Sequence, residues 1–209
     1  TYLFLHVMKT GGSSLLHHLA DQFGAAAIEP PQRPASDDPM PVAYSSLRRL
    51  RELDDRRRRE VRVYAGHYPH LVVDLVRPTA TFTILREPVD RAVSLLRQAQ
   101  RIREPFVGRP LEEIYESAEL GWSLVRDYQV KLFAMTTADL DRHREVCLRL
   151  FGPAVEDPAD RPHSIPMTVD GTRVDDAVAR LGEVEVFGFQ ERYGELVDEL
   201  ERRFGWHLP

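Results

Sequence analysis

The stretch Tyr2-Leu3-Phe4-Leu5-His6-Val7, then Met8-Lys9-Thr10-Gly11-Gly12-Ser13-Ser14, then Leu15-Leu16-His17-His18-Leu19, decides how this chain is read. The apolar run from Tyr2 to Val7 predicts a buried strand, and Leu15, Leu16, Leu19 and Phe23 recur at helical spacing. A strand therefore becomes a helix through Lys-Thr-Gly-Gly-Ser-Ser. Gly11 and Gly12 let the backbone come close to an anion, and the helix start adds unpaired N–H groups and a positive dipole end. Lys9 brings a full charge to the same place. Phosphate or sulfate is the ligand this turn suits. It is not a Walker A loop, because the lysine precedes the glycines and no G-x-x-x-x-G-K-[ST] run occurs.

Working outward, 209 residues suffice for one well-buried α/β core and are too few for two full domains, so a single domain is expected. Twenty-eight basic against 33 acidic residues give a net charge of -5, which argues against a general nucleic-acid binder and makes any anion site local. The one cysteine, Cys147, excludes an internal disulfide framework and fits a reducing cytoplasm; it reads as a small buried helix residue. No apolar run reaches membrane-spanning length, and neither a membrane nor a nucleic acid is expected as partner. The chain opens at Thr1 directly on a strand, and its natural N-terminus is expected to lie upstream.

Along the chain, the prolines from Pro30 to Pro41 predict a loop over 25–41. Residues 44–60 predict one short basic helix with Leu47, Leu50 and Leu53 as its apolar edge. Its arginines alternate with Glu52, Asp54, Asp55 and Glu60, which favours internal ion pairing over a nucleic-acid or membrane patch, with arginines meeting an acidic acceptor as the weaker alternative. Residues 61–65 read as a second strand ending at Gly66-His67-Tyr68-Pro69-His70, and residues 81–86 as a third. Arg86-Glu87-Pro88-Val89-Asp90-Arg91-Ala92-Val93-Ser94 follows, with proline suited to a first helical turn and Val89, Val93 and Leu96 as the inner stripe. Helices are expected at 111–120, 122–135, 139–151 and 175–181. A last strand, 184–189, leads into a closing helix carrying Leu196, Val197, Leu200 and Phe204.

The Lys9–Ser14 loop resembles the 5′-phosphosulfate loop of sulfotransferases, in the form found in carbohydrate-type and related bacterial members. Arg86 to Ser94 resembles their 3′-phosphate motif, and the Gly66-His67 pair sits where many of them carry a Gly-His. Asp127-Tyr128-Gln129-Val130-Lys131-Leu132 is similar to a family Asn-x-Gln-x-Arg-x-Leu segment. The resemblance implies a P-loop-NTPase-like central parallel sheet flanked by helices, with the cofactor-binding core at 1–24 and 61–104. Acceptor-side elements fall at 25–60 and 102–171, and the closing strand and helix at 184–206. It implies 3′-phosphoadenosine 5′-phosphosulfate as sulfuryl donor and 3′,5′-adenosine bisphosphate as product. The donor would be held by Lys9, Thr10, Gly11, Gly12, Ser13 and Ser14 at one end and by Arg86 and Ser94 at the other, with Arg161 at the adenosine side by position. Lys9 would also act in catalysis, and His67 would be the general base, with His70 as runner-up and His6 structural. Glu87 replaces the usual aspartate, and Lys131 lacks the bidentate fork of arginine.

The expected reaction is in-line transfer to a hydroxyl of a glycan or small natural product, without a metal. Lysine, arginine and backbone dipoles supply the positive charge, and the histidines lack zinc-ligand spacing. Two other readings compete. A P-loop kinase or nucleotide hydrolase needs a strand-end acid for Mg²⁺, where this chain offers His67 and Arg86. A catalytically silent nucleotide-binding module would use the basic segment 48–62 to meet a partner.

Overall fold

β1 (Tyr2–Leu5) lies in the middle of a parallel five-stranded sheet in the computed structural model, which describes residues 1–31, 46–151, 162–165 and 167–208. Its neighbours are β3 (Val63–Gly66) and β4 (Ala80–Leu85), with β2 (Ile28–Glu29) outside β3 and β5 (Val186–Phe189) outside β4. Leu5 is level with Gly66 on one side and Thr83 on the other, so three strands end close together. An α/β architecture with helices on both faces follows, compatible with a P-loop-like fold.

Period-two alternation builds the two layers. Phe4, Val63, Ala65, Phe82, Ile84 and Val186 face α1 (Gly12–Phe23) and α10 (Tyr193–Phe204). Phe4 stacks on Phe82 at 5.2 Å between centroids, and Trp206 meets Tyr2 and Phe23 edge to face, with Phe204 tilted against Tyr2. Leu3, Leu5 and Tyr64 face the other way. They meet α2 (Leu47–Glu52), α4 (Val72–Val76), α5 (Pro88–Ile102), α7 (Tyr128–Ala134) and α9 (Gly171–Leu181). Each fully buried Leu or Phe in these layers contributes about 1.5–3 kcal/mol.

Several elements differ from the sequence expectation. β1 stops at Leu5, although His6 still donates its backbone N–H to Gly66 at 3.0 Å. The expected loop over 25–41 contains a 3-10 turn, Ala25–Ala27, and the two-residue strand β2, which the proline signal hid; residues 32–41 lie outside the described part. The basic segment forms two helices, α2 and α3 (Asp55–Glu60). Ser46 caps the first, and Asp54 interrupts the segment by accepting the Arg57 N–H at 2.7 Å.

In α5 the buried positions are Arg91, Leu95, Leu96 and Ala99, while Val89 is 65% exposed, so the inner stripe is rotated from the one expected. The buried phase begins at a charged residue, which hydrophobic periodicity cannot count. Glu87 does cap this helix, accepting the Asp90 N–H at 2.7 Å. After α6 (Leu111–Glu116), Ala118–Val125 forms a π-helix where the sequence predicts the end of one α-helix and the start of another. Gly121 permits it: a Cβ there would sit 1.6 Å from the Tyr115 carbonyl oxygen. α7 begins only at Tyr128, after Asp127 turns left-handed at φ +51, a conformation Asp tolerates. α8 (Thr137–Phe151) follows; the side chains of Cys147, Leu150 and Phe151 lie outside the described part. α9 starts four residues earlier than expected, capped by Asp170.

Candidate active site

The Lys9 loop leaves β1 between the ends of β3 and β4, the position where a parallel sheet opens a crevice at its carboxyl edge. Lys9 and Gly11 both take positive φ, +68 and +83, which folds the chain tightly ahead of α1. Thr10 is fully buried and donates its hydroxyl to the Val7 carbonyl at 2.8 Å, so its side chain fastens the turn and does not face a ligand. α1 has no side-chain cap and no acidic residue in its first turn, which leaves its positive end unneutralised. Ser13 and Ser14 are exposed there, but the Ser14 N–H is already used by the Gly11 carbonyl at 3.1 Å. Ser14 can thus serve an anion only through its hydroxyl, and its N–H is not among the unpaired groups expected at the helix start.

Gly12 is required for close contact with His6. A Cβ there would lie 2.1 Å from His6 Cδ2. The His6 ring is 7% exposed, stacks on Phe4 at 5.2 Å and lies 4.5 Å from the His67 ring. Burial, with His67 beside it, holds His6 well below the usual histidine range, so it is a neutral wedge between strand and loop. His67, at the end of β3, is partly buried, and its Nδ1 lies 2.7 Å from the His6 carbonyl oxygen. A carbonyl only accepts, so Nδ1 carries the proton and Nε2 is the basic nitrogen. Burial lowers the His67 pKa, and the hydrogen bond to His6 opposes part of that shift.

Arg86 leaves β4 and donates from Nη1 to the Lys9 carbonyl at 3.2 Å, so the two expected phosphate-binding segments touch. Its Nε is buried without a hydrogen bond, and the nearest carboxylate, Glu191, is 3.9 Å away. Gln129 fixes the Arg86 backbone from both sides, accepting its N–H at 3.0 Å and donating to its carbonyl at 2.8 Å. Beyond Arg86, the outer face of α5 forms a cleft of about 430 Å³ lined by Asp90, Ser94, Arg97, Gln100 and Arg101. The Lys9 ammonium is half-buried, and its pKa is lowered by that burial, then by Arg101 and Arg86. On the far side of the loop, Gln190 lies against Gly11 with its Oε1 buried and unpartnered. Glu191 accepts the Glu87 N–H at 3.2 Å.

Other expected positions fall elsewhere. His70 is buried against Phe133, with Nε2 3.7 Å from Glu183; its pKa is lowered by burial and partly restored by Glu183. It belongs to the α7 packing, where its backbone N–H is donated to the Leu132 carbonyl at 2.8 Å. Lys131 is 3% exposed and donates to the Trp122 carbonyl at 2.5 Å; burial pushes it down to about 8. It closes the π-helix together with Arg91, which donates to the Leu124 and Val125 carbonyls at 3.0 and 2.8 Å. Arg91 lies over the Tyr128 ring and is lowered by burial to about 10.

Arg161 lies outside the described residues. In the basic segment, Arg49 and Arg57 are committed to the fully buried Glu29 at 2.7 and 2.8 Å, and Arg58 to the carbonyls of Leu50, Arg51 and Leu53. Arg56–Glu60 is an ion pair within the segment of the kind the alternation suggested. Among the described residues, no group of three or more His, Cys, Asp and Glu is placed to hold a metal, and no helix is long and apolar enough to cross a membrane.

Sequence reasoning missed Gln129, Gln190, Arg97 and Arg101 as site residues. The last two carried a usable signal, since they follow Ser94 by three and seven positions on one helical face. What fold and site define is an α/β protein with a cationic crevice at the carboxyl edge of a parallel sheet. No protein-family model and no curated protein matches the chain.

Proposed function

We propose that the protein is a sulfotransferase that moves the sulfuryl group of 3′-phosphoadenosine 5′-phosphosulfate to an acceptor hydroxyl, in a reducing cytoplasmic setting. The observation that carries this reading is the Arg86 contact with the Lys9 carbonyl at 3.2 Å, with the basic nitrogen of His67 on the neighbouring strand end. One nucleotide bearing two anionic ends can then span Lys9 and Arg86. The residues suit such a ligand: Arg86 Nε is buried and unsatisfied, and the Lys9 ammonium and Ser94 hydroxyl have no hydrogen-bond or ion-pair partner among the described residues.

The donor supplies the activated sulfur–oxygen bond. Arg86 and Ser94 hold the 3′-phosphate. Lys9 and the backbone around Gly11, Gly12 and Ser13, with the Ser14 hydroxyl, face the 5′ end. As the acceptor oxygen bonds to sulfur, the bond from sulfur to the bridging oxygen breaks and its electron pair leaves with the bisphosphate. Lys9 and the α1 terminus stabilise the charge that grows on that oxygen. His67 Nε2 takes the acceptor proton, and the His6 carbonyl favours the imidazolium that forms.

Calorimetry with 3′,5′-adenosine bisphosphate in the absence of Mg²⁺ tests the reading. Binding by the wild type and loss of at least about tenfold in Arg86→Ala are expected, since a hydrogen bond to a charged group is worth about that factor. Binding of ATP only with Mg²⁺, and none of bisphosphate, would replace this reading with a P-loop kinase or hydrolase. Bisphosphate binding without sulfuryl transfer to any member of an acceptor panel, followed by mass spectrometry, would leave a silent binding module.

A further inference from the structure

Residues 190–192 meet both segments of the crevice from a third direction. Strand β5 ends at Phe189, and the 3-10 turn Gln190–Arg192 carries the chain into α10. Gln190 lies against Gly11 of the Lys9 loop, and the next residue, Glu191, faces the start of α5. Its Oε1 accepts the Glu87 N–H at 3.2 Å and stands 3.9 Å from Arg86 Nε. Arg192 does not neutralise it, being paired with Glu195. Among the described residues, Arg86 is the one cation within ion-pair distance of Glu191, and Glu191 the one carboxylate at that distance from Arg86. Glu87, next to Arg86 in the chain, spends its Oε2 on the Asp90 N–H at 2.7 Å.

The side of Arg86 that Glu191 faces is the one an incoming phosphate needs. A guanidinium holds a phosphate best through two N–H groups of one edge. Nη1 is spent on the Lys9 carbonyl at 3.2 Å, so the fork still whole is Nε with Nη2. Nε is buried without a hydrogen bond, and Glu191 at 3.9 Å is too far to supply one. The two side chains, 23% and 43% exposed, therefore form an ion pair without the hydrogen bonds that make such pairs strong. A phosphate monoester brings a charge of about −1.5 to −2 and three acceptor oxygens, so it holds the fork more firmly than the carboxylate does. Both anions at that edge would repel one another.

We propose that Glu191 is the resident counter-ion of Arg86, displaced when the 3′-phosphate binds and drawn back to the guanidinium when the bisphosphate product leaves. This rests on the sulfuryl-transfer reading above. The carboxylate answers the Arg86 charge while the site is empty, and it weakens the hold on a nucleotide that must be released in every turnover. The seat of Gln190 on Gly11 keeps the turn in place, so the Glu191 side chain has only to swing aside and return.

Glu191→Gln tests this, because glutamine still accepts the Glu87 N–H and removes only the charge. Calorimetry should show 3′,5′-adenosine bisphosphate bound at least about threefold more tightly by the variant than by the wild type, the factor of a partly exposed charge pair. Surface plasmon resonance should place that gain in a dissociation rate at least about threefold slower. Adenosine 5′-monophosphate, which lacks the 3′ group, should show no gain, whether it binds weakly or not at all. Unchanged or weaker bisphosphate binding by Glu191→Gln would make Glu191 a support for Arg86 and overturn the proposal. An equal gain for the monophosphate, or a gain carried wholly by faster association, would show only the general effect of removing one negative charge and overturns it too. Bisphosphate bound by neither protein is a different result, which ends the sulfuryl-transfer reading and this inference together.

Discussion

Gly12→Ala is the substitution whose outcome follows most directly from the geometry. A Cβ at position 12 would lie 2.1 Å from Cδ2 and 2.2 Å from Nε2 of His6, more than an ångström inside the 3.4 Å at which ordinary contact begins. The ring has little room to retreat, because it stacks on Phe4 at 5.2 Å and is flanked by His67 at 4.5 Å. Overpacking of this kind costs about 1–3 kcal/mol. The clash is with a ring wedged between strand and helix, so the upper part of that range applies. Alanine returns about 0.5–1 kcal/mol by its better helix propensity, which leaves a net loss of about 2 kcal/mol. Urea unfolding of the wild type, Gly12→Ala, His6→Ala and the double variant measures both the loss and its cause. With the imidazole gone the new methyl has space, so the double variant should be at least about 1 kcal/mol more stable than the sum of the single effects allows. Gly12→Ala within about 0.5 kcal/mol of wild type, or strict additivity in the double variant, would refute the wedge.

Three further outcomes are expected. His6 and His67 are both lowered by burial, so the unfolded chain binds more protons than the folded one below about pH 6.5. Stability should fall as pH drops from about 6.5 toward 5; equal urea midpoints at pH 7.5 and pH 5 would contradict this. Gln129→Leu removes both hydrogen bonds that fix the Arg86 backbone, at about 1 kcal/mol each, so bisphosphate affinity by calorimetry should drop roughly tenfold, and an unchanged affinity would free Arg86 from that clamp. His67→Ala should lower single-turnover transfer by about 10²- to 10⁴-fold with bisphosphate affinity little changed; near-full turnover at saturating donor would remove His67 as the base.

The parts of the fold legible in the sequence were those carried by local periodicity. The strand, loop and helix at the start, the strands ending near Gly66 and Leu85, and the closing helix were all within a few residues of their observed bounds. The failures share a cause, since each depends on a partner distant in the chain. β2 is two residues long and exists by pairing with β3; Arg91 is buried because carbonyls of the π-helix wait for it; and the π-helix itself depends on Gly121 lying against Tyr115. At the site, Lys9 and Arg86 announced themselves by type and context. Gln129 and Gln190 did not, because an uncharged amide at a helix position or a strand end carries no local mark of the backbone it will touch.

The order in which the parts leave a ribosome gives the last strand a further significance. Lys9, His67 and Arg86 are all made early, yet residues 190 and 191 complete their surroundings, and β5 is what covers the open side of β4. Until that late portion emerges, β4 presents unpaired backbone groups of the kind that invite pairing with other chains. Nascent chains halted before Val186 should therefore aggregate and show no nucleotide affinity, however well their first 150 residues have begun to fold.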